Sequence, residues 1–377
     1  MEAQNISLAR LLFKAALIFL LCNLLFVTFH PTSALGRLTL YNWLLPGRER
    51  LPYGDDPPRA YNLNLYGLEA MFASHKLSGA EKTAGEFRVL IVGDSSVWGF
   101  LLENKDTLTA ALNLAGLQTP DGRKAVFYNL GHPTISLTKD LMILDYAMRY
   151  EPDFILWFVT LEAFPNVKQI SSPLVQNNPE RIGNLIRQYD LSIDPHSPEF
   201  KPADFWERTL IGQRRNLADL LRLQLYGLMW AATGIDAFIP ETIELRAVDL
   251  ESNEDYYGQQ PPILNDDELA LDVIQAGLAR AGEVPVLIVN EPIFVSSGAN
   301  SDVRYNSFYP RWVYDGYREM LRSLASANGW NYADLWQTAD NAEFTNTPIH
   351  LTPRGTLELA QALMAVLGDQ YQLHPIP

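Results

Sequence analysis

Five short apolar runs constrain the fold of this chain more than any other feature. They are "FRVLIVG" (87–93), "KAVFYNLG" (124–131), "PDFILWFVT" (152–160), "VPVLIVNEPIF" (284–294) and "NYADLW" (331–336). The first four are continuous rather than alternating, the pattern of strands covered on both faces. Helical patterns separate them. "DTLTAALNLAGL" opens on Asp106 and stops at Gly116, and "SLTKDLMILDYAMRY" sets Leu137, Leu141, Leu144 and Met148 on one face. Strands alternating with helices predict an α/β domain with a mostly parallel sheet in three layers.

Composition narrows the class further. The chain has 377 residues, 47% of them hydrophobic, enough for a large core. A net charge of -15 argues against a nucleic-acid partner, because phosphate binding needs basic surface, and gives no attraction to anionic lipid. Cys22 is the single cysteine, so no intramolecular disulfide can form. CxxC and HExxH are absent, and no metal or cofactor is expected.

The N-terminus is a separate unit. "LLFKAALIFLLCNLLFVTF" (11–29) is apolar apart from Lys14 and Asn23 and is long enough to cross a bilayer. Residues 1–30 read as a single transmembrane anchor, with a cleavable signal peptide ending near Ala34 as the other reading. Both readings place the globular part outside the cytoplasm. Residues 31–84 read as a juxtamembrane linker and lead-in, with Tyr41 and Trp43 at the level of an aromatic belt. Residues 85–370 form the α/β domain, with a largely helical insert at about 165–282. That insert carries "RRNLADLLRLQLYGLMWAATGI" (214–235), apolar nearly all round in its second half. It reads as a helix covering the core, as a cap over the site, or as a surface meeting the membrane or a membrane partner.

Open parallel sheets bind ligands at the carboxyl ends of their strands. Gly93-Asp94-Ser95-Ser96 follows the first strand. Asn129, Gly131 and His132 follow the second, Thr160 and Glu162 the third, and Asn290 and Glu291 the fourth. His350 lies in "FTNTPIHLTPRG", before the last helix. A serine needs a base to become a nucleophile, and histidine supplies one near neutral pH. At a helix start the serine also gains free backbone N–H groups that can hold an oxyanion. "GDSS" taken alone is equally a strand-to-helix turn.

Together, Gly93-Asp94-Ser95, Gly131 and "HLTPRG" resemble the SGNH/GDSL hydrolase superfamily over roughly 85–165 and 283–367. The layout resembles its membrane-anchored branch, the lipoteichoic-acid D-alanylation type. The resemblance implies a flavodoxin-like α/β/α fold, with Ser95 as nucleophile and His350 as base. The N–H groups of Ser95 and Gly131 would be oxyanion donors.

Two departures stand out. The family's Gly-x-Asn-Asp block is replaced by "VTLEA" (159–163), and Thr347, with Asn346 beside it, stands where the triad aspartate is expected. Losing an oxyanion donor costs about 3 kcal/mol of transition-state stabilisation. Asn290 is a substitute donor, or else a turn residue before Pro292. Asp334, Glu162 and Glu291 are candidates for the acid that orients His350. The aromatic stretch 304–321 reads as a sugar-binding cleft or as a packed loop entering a helix.

The function expected is a membrane-anchored extracytoplasmic serine esterase or O-acyltransferase. It would act on acyl esters of envelope carbohydrate or lipid, with a multi-spanning acyltransferase as an expected partner. The alternative is a catalytically degenerate protein of the same fold, serving as a binding or structural subunit of a membrane complex.

Overall fold

The computed structural model describes residues 7–29, 31–36, 40–45, 54–56, 66–202, 204–233, 239–240 and 242–375. Residues 37–39, 46–53 and 57–65 of the stretch read as linker lie outside these residues, as do residues 1–6 and the Tyr41 side chain.

Helix α1 (Leu8–Phe29) comes first, then a short α2 (Leu40–Leu44). Strand β1 (Glu86–Gly93) runs into a one-turn helix, α3 (Ser95–Trp98). There follow α4 (Leu108–Ala115), β2 (Leu117–Gln118), β3 (Lys124–Gly131), α5 (Leu137–Ala147) and β4 (Phe154–Val159). Between β4 and β5 lie α6 (Pro179–Tyr189), α7 (Arg214–Thr233) and α8 (Leu271–Ala281), joined by long irregular segments. The chain closes with β5 (Val286–Asn290), α9 (Arg311–Asn328), β6 (Asn331–Asp334), α10 (Pro353–Tyr371) and β7 (His374–Pro375).

The sheet order is β6-β5-β4-β1-β3-β2-β7. The strands from β6 to β3 are parallel, and β2 and β7 add an antiparallel edge. Numbering the five apolar runs in chain order, this is 2-1-3-4-5, the flavodoxin-like arrangement, whose switch point lies beside β1. The two edge strands were not foreseen, because two residues are too short to carry a hydrophobic period.

Alternation sorts each strand into two cores. Leu90, Val92, Ile155, Trp157 and Ile288 pack with α5, α8 and α9 on one face. Val89, Ile91, Leu156, Phe158 and Val289 pack with α4 and α10 on the other. Both faces are buried, which is why the strands read as unbroken apolar runs. The aromatic stretch 304–321 belongs to the first core. Tyr309, Tyr314 and Tyr317 are fully buried there, so it forms no sugar-binding cleft.

Candidate active site

The site is built over two neighbouring glycines. Gly93 ends β1, Gly131 ends β3, and the two are register partners. A Cβ on Gly93 would stand 2.6 Å from Val97 Cγ2, and one on Gly131 would stand 2.2 Å from the Trp98 backbone nitrogen. Two bare backbones side by side thus form a flat seat for α3. Asp94 caps α3, its Oδ1 accepting the Ser96 N–H at 2.8 Å. Ser95 is the first residue of the helical turn, where backbone N–H groups have no intrahelical acceptor.

The structure brings Ser95 and His350 together across 255 residues of chain, with Oγ and Nε2 2.8 Å apart. His350 sits in a tight loop closed by a bridge between Phe344 and Leu351. Thr347 Oγ1 accepts the His350 N–H at 3.2 Å, so this residue braces the loop rather than the ring. The ring is met by Asn346, whose Oδ1 lies 2.9 Å from Nδ1. An amide oxygen there accepts the Nδ1 proton and leaves the Nε2 lone pair facing the serine hydroxyl. Phe100 stacks on the imidazole, with ring centroids 4.5 Å apart.

None of the three expected carboxylates orients His350. Asp334 is bound by Arg318, with Nη2 2.7 Å from Oδ2, and accepts Asn290 Nδ2 at 2.9 Å. Glu162 pairs with Lys168 at 2.5 Å and accepts the Tyr257 hydroxyl. Glu291 accepts the Ser96 hydroxyl, which assigns the two serines of "GDSS" to different partners. Each acid met a closer cation or hydroxyl than the imidazole.

Two expected oxyanion donors are also engaged elsewhere. The Gly131 N–H donates to Asn129 Oδ1 at 2.9 Å, and its lack of a side chain serves the packing of α3. Asn290 is fully buried, with Nδ2 given to Tyr314 and Asp334 and Oδ1 accepting the Tyr317 hydroxyl. The Ser95 N–H keeps its place at the helix start.

A buried polar cluster lies beneath the serine, and the sequence reading missed it. Lys139 is wholly buried, and its Nζ donates to Gly93 O at 2.8 Å and to His132 O at 2.7 Å. It also pairs with Asp140 at 2.9 Å, while Trp157 Nε1 reaches the other Asp140 oxygen at 3.3 Å. Burial pushes Asp140 up to about 6 against the pull of Lys139. Burial and Lys139 lower His132 to about 3, which keeps its ring neutral. Glu291 is held well above the usual carboxylate range by burial and by Asp94. A lysine and an aspartate on an amphipathic helix read as solvent-facing, and only the tertiary fold turns them inward.

Burial lowers His350 to about 4, with Asp94 acting the other way. The base must be neutral to take a proton. Activity carried by this ring therefore holds down to about pH 4 and is lost below it, read as the acid limb of kcat/KM. Asn346→Asp places a carboxylate beside Nδ1 and is expected to move that limb up by about one to three units. An unmoved limb would show that Asn346 does not govern the ring. Gly131→Ala drives a methyl into the Trp98 backbone. It is expected to cost about 1–3 kcal/mol in denaturant unfolding and to lower activity by displacing Ser95. A neutral Ala variant would remove the argument for the glycine seat.

Fold and geometry together define a serine–histidine site on a flavodoxin-like α/β sheet. No family model matches the chain, and no curated protein matches its sequence. Several solved structures are similar at a low level. A protein from Agrobacterium tumefaciens str. C58 described as an arylesterase is 14% identical, covering 75% of this chain and 98% of its own, at a TM-score of 0.33. A carbohydrate acetylesterase from Sinorhizobium meliloti is 12% identical over 75% of this chain and 98% of its own, at 0.34. A protein from Bacteroides ovatus described as a GDSL-like lipase is 10% identical over 77% and 55%, at 0.36. At scores this low the overlay adds no weight, and the geometry of Ser95 and His350 stands by itself.

Proposed function

We propose that the protein is a serine esterase or O-acyltransferase, held at a membrane by α1, with its domain outside the cytoplasm. The observation that carries this reading is the 2.8 Å contact of Ser95 Oγ with His350 Nε2, on a ring whose other nitrogen meets Asn346. His350 takes the serine proton as Oγ attacks an ester carbonyl. The Ser95 N–H at the start of α3 receives the developing oxyanion. The ring then returns the proton to the departing alcohol, leaving an acyl group on Ser95. Water or a hydroxyl of a second substrate, activated by the same ring, takes the acyl group and frees the serine.

Asn346 supports this cycle differently from a carboxylate. It fixes the tautomer and the plane of the ring, but as a neutral dipole it stabilises the imidazolium less. The low proton affinity of His350 comes from its burial. Supporting the membrane placement, α1 spans 22 residues and contains an 18-residue stretch with a mean hydropathy of 2.3, and a signal sequence would share those properties. The acyl esters of envelope carbohydrate or lipid, with a multi-spanning acyltransferase as partner, complete the proposal.

The test is a fluorophosphonate probe on the detergent-solubilised full chain, read by mass spectrometry. A single adduct on Ser95 is expected, absent from Ser95→Ala. An unlabelled wild type, or equal labelling of the variant, would leave the fold as a binding or structural subunit.

A further inference from the structure

Helix α7 carries an exposed apolar stripe. Leu221, Leu225 and Leu228 are 63%, 72% and 52% exposed, at helical spacing on one side. Just upstream, Phe205 and Trp206 are 54% and 68% exposed. Arg215 and Arg222 are exposed along one side of the stripe, Arg222 paired with Asp219 at 2.6 Å. Helix α2, with Trp43 exposed, lies against α7. Apolar surface gathered in this way marks a contact with a membrane or a partner.

Helix α1 decides between these. It is buried only at Asn23 and Phe26, which share one face, half-buried at Val27 and exposed elsewhere. Asn23 Oδ1 accepts the Ile211 N–H at 3.4 Å, so α1 touches the segment that leads into α7. Asn23 lies about 9 Å from the end of α1 at ~1.5 Å per residue, and the whole helix is roughly 33 Å, close to the hydrocarbon thickness of a bilayer. With α1 centred across the bilayer, Ile211 sits roughly 7 Å inside the hydrocarbon boundary, the depth at which interfacial helices lie. Helix α7 begins at Arg214, directly after it.

We propose that the stripe of α7, with Phe205 and Trp206, rests on the lipid bilayer beside α1. The domain is then held by two contacts, one spanning and one lying in the interface. Leucines enter the acyl boundary, and Arg215 and Arg222 meet the headgroups, as in interfacial amphipathic helices. With a net charge of -15 on the whole chain, apolar burial rather than attraction to anionic lipid supplies the binding. This inference rests on the proposed anchoring by α1.

Cys22, the single cysteine and exposed on α1, permits a test that separates the two claims. The full chain is placed in phosphatidylcholine nanodiscs and nitroxide-labelled at Cys22, or at Leu225→Cys or Leu114→Cys in a Cys22→Ser background. Collision rates with oxygen and with a nickel chelate are compared, and thermal unfolding confirms the fold of each variant. Leu114 is 88% exposed on α4 and serves as the aqueous reference. The oxygen-to-nickel ratio at position 225 is expected to match that at Cys22 and to exceed that at position 114 severalfold. A ratio at 225 equal to that at 114 overturns the bilayer contact. So does a label at 225 shielded from both reagents, which would mean a protein covers the stripe. A water-like Cys22 overturns the anchor instead.

Discussion

Replacing Ser95 with alanine is expected to lower kcat for an ester substrate by about four to six orders of magnitude. His350→Ala is expected to lose a similar amount. The double variant Ser95→Ala/His350→Ala should lose little more than either single one. The hydroxyl and the imidazole are 2.8 Å apart and act as one unit, because the serine attacks only as its proton leaves for Nε2. Remove either, and the remaining rate comes from binding and the N–H groups at the start of α3. Steady-state rates of the three variants settle the point. Multiplying losses, or a single loss below tenfold, would show that the two side chains meet without sharing a reaction. Neither variant leaves a buried charge unpaired, so both are expected to fold.

Lys139→Met carries the largest expected effect on stability. Lys139 is wholly buried and links the carbonyls of Gly93 and His132, the ends of the two strands on which α3 is seated. Removing one partner of a buried ion pair typically costs about 3–5 kcal/mol, since the other is left without its counter-charge. Here Asp140 is the one left, already raised to about 6 with the lysine present. Without it the carboxyl is expected to be protonated at neutral pH. Lys139→Met/Asp140→Leu removes both charges and should lose less than Lys139→Met alone. Urea unfolding of the two variants measures this. A loss below about 1 kcal/mol for Lys139→Met would mean the pair contributes little and the strand ends hold without it.

Several features of the site follow from local chemistry and were legible in the residues. The apolar runs state that their strands are buried on both faces, and the helical stretches between them force parallel crossovers. That places Ser95 and His350 at one edge of one sheet. Asn346 stood in plain view four residues before His350, yet the reading turned to Asp334, Glu162 and Glu291, since an acid is the usual partner of a catalytic imidazole. The fold gave each acid a nearer contact: Arg318, Lys168 and Ser96 in turn.

The division has a physical basis. A hydrophobic period, a capping aspartate or a helix stop depends on neighbours within a few residues, so the chain alone determined its strands, its parallel sheet and the apolar helix at its start. A hydrogen bond goes to whichever donor or acceptor the packed chain brings closest, often from far along the sequence. Only the tertiary structure decided that Gly131 and Asn290 are engaged elsewhere, that Lys139 points inward beneath the serine, and that α1 meets the segment leading into α7.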